Sequence, residues 1–107
     1  MARKTGAQCI ADMLDGYGVT HVFMVPAILR RTMAELERRT SIARVVAHSE
    51  KSAAYMADGY ARASGRPGVC LAQCIGALNL AAGLRDAWLA HAPMIAFTGG
   101  PSAETRE

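Results

Sequence analysis

The sequence predicts an α/β domain: a parallel sheet of about four strands with helices on both faces. Two observations lead there. Short apolar runs alternate with helix-length amphipathic segments along the whole chain, and the runs lack the every-other-residue polarity of a half-exposed sheet. Composition agrees, because 51% of the 107 residues are hydrophobic but only 6% aromatic. Alanine- and glycine-rich helices packed tightly on a sheet suit that balance better than an aromatic sandwich or a stacking platform for single-stranded nucleic acid.

The elements follow in order. Ala7, Ile10, Ala11 and Leu14 recur at helical spacing, and Gly16-Tyr17-Gly18 stops that first helix. His21 to Val25 is a buried strand closed by Pro26, which cannot continue a ladder. A second helix lines one face with Leu29, Met33 and Leu36 and turns Arg30, Arg31, Glu35, Arg38 and Arg39 outward. Ile42 to Ala47 is the second strand. The alanine-rich run from Glu50 through Ala63 is the third helix, ended by Ser64-Gly65-Arg66-Pro67. Gly68 to Gln73 gives the third strand. Ala77 to Ala90 forms the fourth helix, with Leu80, Ala81, Leu84 and Trp88 as its apolar stripe, and Met94 to Thr98 the fourth strand.

Right-handed crossovers are expected between these strands. Residues 1–101 form one partial domain, and 102–107 are a tail without an element of its own. After Thr98 the sheet looks unfinished, since no helix or further strand covers its last member.

Twelve basic and nine acidic residues leave a formal charge of +3, and the arginines are spread along the chain. A nucleic-acid module would carry a concentrated basic stripe, a reading helix or interleaved aromatics, so none is expected here. Cys9, Cys70 and Cys74 are an odd number with neither a paired framework nor a ligand cluster, which excludes a disulfide scaffold and a zinc site and fits a reducing cytoplasm. Cys70 reads as core. Cys74, at a strand end, is either exposed at a site or a small apolar filler. Asp12 and Asp15 interrupt the N-terminal region before a signal-peptide core accumulates, and Val69 to Leu84 is too short and polar for a membrane span.

Open parallel sheets bind ligands at the carboxyl ends of their strands, which here are Pro26-Ala27, His48-Ser49-Glu50, Gln73-Cys74-Ile75-Gly76 and Thr98-Gly99-Gly100. Glu50 is the only carboxylate among them. It is either a first-turn acid stabilising a helix dipole, worth about 0.3–1 kcal/mol, or a reactive group. Gly16-Tyr17-Gly18 lies between a helix and the following strand, so it is a stop signal rather than a dinucleotide loop. His48 and His91 have no nucleophile beside them.

The stretch from Glu50 to Arg62, with Gly65-Arg66-Pro67-Gly68-Val69-Cys70 after it, resembles the N-terminal pyrimidine-binding domain of thiamin-diphosphate enzymes of the acetolactate synthase, benzoylformate decarboxylase and pyruvate oxidase group. Its surroundings resemble the same domain: Gly18 to Phe23 with Val25-Pro26, Gly76 to Leu80 with Gly83 to Trp88, and Pro93 to Gly99.

The resemblance implies that Glu50 hydrogen-bonds the cofactor's pyrimidine nitrogen, so that the exocyclic nitrogen can take the proton of the thiazolium carbon. It also places Val25, Pro26 and Asn79 near the pyrimidine, by position. An apolar strand end can keep such a carboxyl group protonated.

The implied activity is the cofactor-activating part of an acetolactate-synthase-like lyase or transferase acting on 2-oxo acids, inactive alone. Diphosphate and magnesium would be held by a complementary domain or chain absent from this sequence. The full enzyme would be a homo-oligomer, with a middle domain that in some members carries flavin. The sequence departs from the family at three places: Ser49 stands where a histidine is common, Ala27-Ile28 follow Pro26 in place of glycine, and Gln73-Cys74-Ile75-Gly76 replaces a Gly-Pro-Gly turn. In length it resembles an N-terminal fragment. A reading from a different class is a non-catalytic α/β remnant or interaction module. Ala53, Ala54, Ala57 and Ala61 either permit close contact with a partner helix or pack on the chain's own sheet.

Overall fold

A computed structural model describes residues 2–26 and 29–105. Ala27-Ile28, one of the sequence departures, lie outside the described residues. Four helices alternate with four strands: α1 (Gly6–Gly16), β1 (His21–Met24), α2 (Arg30–Arg39), β2 (Ala43–Val46), α3 (Glu50–Ser64), β3 (Gly68–Ala72), α4 (Ala77–Leu89) and β4 (Met94–Thr98). Every predicted element is present, with ends shifted by a residue or two. The expected tail contains a 3-10 turn over Ala103–Thr105, formed where alanine and glutamate, both good helix formers, follow Pro101.

The strands pair in the order β2-β1-β3-β4, all parallel. Met24 is level with Val46 on one side and Leu71 on the other, so all carboxyl ends share one edge. Two cores sandwich the sheet. On one face Ala11, Leu14 and Leu36 of α1 and α2 meet Val22, Met24, Val69 and Leu71. On the other, Ala53, Ala54, Ala57 and Leu80 of α3 and α4 meet Phe23, Cys70 and Ala72. Odd and even positions of one strand thus feed opposite cores, which is why β1 and β3 show no polar alternation. From β1 the chain crosses to β2 on the first face, while α3 and α4 carry it the other way on the second. The connections leaving β1 and β3 therefore diverge, and the crevice between those two strand ends is the topological switch point where ligands of such sheets gather.

Two expectations are corrected. β2 and β4 are edge strands and are not covered on both faces, so Val46 is 55% and Ile95 40% exposed. The buried stripe of α4 is Leu80, Gly83 and Ala87, whereas Trp88 is 74% exposed and Ala81 also faces out. The helix axis is close enough to α3 that only small residues fit between them, and the large indole is left on the outer side. Of the two readings left open for Ala53, Ala54, Ala57 and Ala61, the second is observed: all four are buried within the chain, and the small-residue stripe of α3 packs on its own sheet and on α4.

Candidate functional site

The carboxyl edge is assembled by helix starts. Ser49 stands in extended conformation and accepts the Ser52 amide through Oγ at 3.1 Å, which caps α3 and makes Glu50 its first residue. Ser49, found where a histidine is common in the family it resembles, therefore has a local structural role. On the other side of β1, the turn Gln73-Cys74-Ile75-Gly76 leads into α4, with the Ala77 amide donating to the Gln73 carbonyl at 2.8 Å.

These two starts meet. Asn79 Nδ2 donates to Glu50 Oε2 at 3.3 Å, across 29 residues of sequence. The Glu50 side chain lies against the backbone of Gly76: a Cβ there would stand 2.9 Å from Glu50 Cδ and 3.0 Å from Cγ, and closer still to Oε1. Glu50 itself is half-buried. Beside it a shallow depression of about 480 Å³ is lined by Ser49, Lys51, Leu78, Asn79 and Ala82.

Val25 and Pro26 follow β1 at the same edge, between the ends of β2 and β3 and one step beyond the Met24 register position. Val25 is half-buried and Pro26 exposed. Sequence reasoning thus placed all four site candidates, Glu50, Val25, Pro26 and Asn79, on the edge where the structure has them. It missed that Asn79 holds Glu50 and that Gly76 makes room for it. The available signal was a glycine three residues before an asparagine at a helix start. Cys74 takes the exposed alternative, Cys70 is buried in the second core, and His48 is exposed.

A larger groove of about 580 Å³ lies at the opposite, amino edge, walled by Met13, Tyr17, Val19, Pro67, Ile95 and Phe97. Near its rim Thr20 Oγ1 is 2.6 Å from the Tyr60 hydroxyl and 2.9 Å from His21 Nδ1. None of the candidate residues reaches it, so size alone does not identify the site here.

The carboxyl edge offers one carboxylate with an oxygen held in place, and open space beside it. That donor set suits the nitrogen face of an aminopyrimidine. Among the described residues no group of three or more His, Cys, Asp or Glu side chains could hold a metal ion. Also among the described residues, no helix is long and apolar enough to cross a membrane.

The chain is similar to curated proteins over nine-tenths of its length. It is 39% identical over 98 residues to "Acetolactate synthase, chloroplastic" of Arabidopsis thaliana, covering 90% of this chain and 15% of the plant protein. Against "Acetolactate synthase" of Arthrospira platensis it is 39% identical over 102 residues, 91% of this chain and 18% of that one. Against the mitochondrial catalytic subunit of acetolactate synthase from Aspergillus candidus it is 39% identical over 99 residues, 90% and 14% respectively. The chain therefore spans less than a fifth of the length of these relatives. A family model described as "Thiamine pyrophosphate enzyme, N-terminal TPP binding domain" matches residues 4–107. With a parallel sheet that sets Glu50 at its carboxyl edge, and a family match over nearly every residue, this chain belongs to the N-terminal TPP binding domain family of thiamine pyrophosphate enzymes.

Proposed function

We propose that this chain is the pyrimidine-binding, cofactor-activating part of an acetolactate-synthase-like enzyme acting on 2-oxo acids, with Glu50 as its proton-handling group. The observation that carries the reading is the seat of Glu50: first residue of α3, at the carboxyl edge, with Oε2 held by Asn79 and the carboxylate laid over Gly76. A group fixed that way presents a defined oxygen to a ligand nitrogen without first losing side-chain freedom. When bound, thiamine diphosphate would supply a thiazolium carbon acid as the nucleophile toward a 2-oxo acid. Glu50 would exchange one proton with the pyrimidine nitrogen, Val25 and Pro26 would wall the ring from the end of β1, and Asn79 would keep the carboxylate from rotating.

The diphosphate and its magnesium ion are held by a complementary domain or chain, and the enzyme works as a homo-oligomer whose site is closed at that junction. Three free thiols, two of them exposed, fit a reducing compartment such as the cytoplasm.

Calorimetry and complementation test this together. The chain alone should bind thiamine diphosphate negligibly, because an open ledge closes on few atoms of the ligand. Supplied with a diphosphate-binding partner, it should turn over a 2-oxo acid. Tight binding by the chain alone would contradict the divided site, and a partnered complex without turnover would favour the non-catalytic remnant.

A further inference from the structure

Gly76 stands at the N-cap position of α4, where serine, threonine, aspartate or asparagine would cap the helix, and it makes no side-chain cap. Its backbone, at φ −64° and ψ −16°, lies in the right-handed region that any residue adopts. Glycine is therefore not required there by conformation. It is required by space, because the volume of its missing Cβ is filled by the Glu50 carboxylate. Asn79 is the third residue of α4, its amide bonded to the Gly76 carbonyl at 3.0 Å, and its side chain turns away from the cap toward Glu50 Oε2.

From this arrangement we propose that Gly76 and Asn79 are positioning residues for Glu50: Asn79 fixes Oε2 as an acceptor, and Gly76 admits the carboxylate so that Oε1 carries the exchangeable proton. The proposal rests on the reading of Glu50 given above. An asparagine NH2 can only donate, so the oxygen it faces is held as acceptor and the proton is directed to the other. Both touch the Glu50 carboxyl group, and neither exchanges the proton itself. Their effect is to choose which carboxyl oxygen does so, and to hold it still.

The test is a nuclear magnetic resonance titration of the full chain, following the Glu50 carboxyl carbon and the Asn79 side-chain amide. In the wild type both should move with one midpoint. In Gly76→Ala the amide should cease to follow the carboxyl carbon, since Glu50 is pushed off its seat. If Gly76→Ala does not fold, the wild-type pair still decides. An Asn79 amide that ignores the Glu50 titration overturns the proposal, as does a folded Gly76→Ala in which the two still move together. In the partnered enzyme Asn79→Ala should lower kcat about tenfold with the KM for the 2-oxo acid unchanged, the scale of one hydrogen bond to a charged group. A raised KM with kcat unchanged would overturn it. Coupled signals in a protein whose Glu50→Gln variant stays fully active would instead sink the cofactor reading and leave the positioning geometry standing.

Discussion

Ala54 and Gly83 set the separation of α3 and α4: a Cβ on Gly83 would stand 2.5 Å from the Ala54 Cβ and 3.0 Å from the Ala54 carbonyl carbon. Glu50 lies one turn before Ala54 and Asn79 one turn before Gly83, so this contact also sets the reach between the two site side chains. Gly83→Ala should destabilise the chain by about 1–3 kcal/mol, the usual range for overpacking. It should also weaken the bond between Asn79 and Glu50. Urea denaturation reads the first effect and the Asn79 amide signal the second. An unchanged midpoint with an unchanged amide would show that the helices are not in contact at this point.

Leu80 is fully buried in the second core whereas Trp88, two turns on, lies mostly in solvent. Leu80→Ala should therefore cost about 2–5 kcal/mol, as cavity-forming core truncations do. Trp88→Ala should stay within about 0.5 kcal/mol of the wild type, the scale of a surface substitution. Equal losses at the two positions would restore the stripe that the sequence predicts.

Much of the fold was legible because β1 and β3 are buried on both faces, and their apolar runs are of a kind only a covered parallel strand has. The edge strands misled for the same reason: Val45-Val46 and Ile95 with Phe97 are as apolar as core residues, and apolar runs do not say which strands stand at the edges of the described sheet. Trp88 misled because size was read as burial, while α4 meets α3 through Gly83 and Ala87, which carry almost no hydrophobic signal. Glu50 was legible from its place after β2 and from the motif that follows it. Its bond to Asn79 was not, since it exists only because β2 and β3 flank β1 and bring two distant helix starts together.

Asp12 on α1 accepts from Lys4 at 2.6 Å and from Arg39 on α2 at 2.7 and 2.8 Å. Those two cations, Lys4 foremost, hold its carboxyl below the usual carboxylate range. The stabilisation is therefore present above the unfolded pKa of about 4 and is lost as pH falls through the lower folded value. Asp12→Asn should be less stable than the wild type at pH 7 and equal to it near pH 2, and the gap at pH 7 should shrink with added salt because the cluster is exposed. Denaturation midpoints at the two pH values check this. A gap that persists in strong acid would point to a packing role instead.

Burial pushes the Cys70 thiol up to about 11, whereas Cys9 and Cys74 are exposed. A maleimide reagent at neutral pH should label two thiols per folded chain and a third only on unfolding, since the thiolate is the reacting form. Mass spectrometry of the labelled peptides should find Cys70 unmodified under native conditions. Early labelling of Cys70 would mean that β3 opens far more readily than its place in the sheet implies.

If Glu50 moves the proton that activates the cofactor, deuterium exchange at the thiazolium C2 of thiamine diphosphate bound to the partnered enzyme reports it. Exchange should be fast with wild-type chain. With Glu50→Gln it should slow by about 10²–10⁴-fold, the span of a lost general acid–base group, because the amide still hydrogen-bonds but does not exchange the proton. Exchange at the wild-type rate in a folded, cofactor-loaded Glu50→Gln complex would contradict the account.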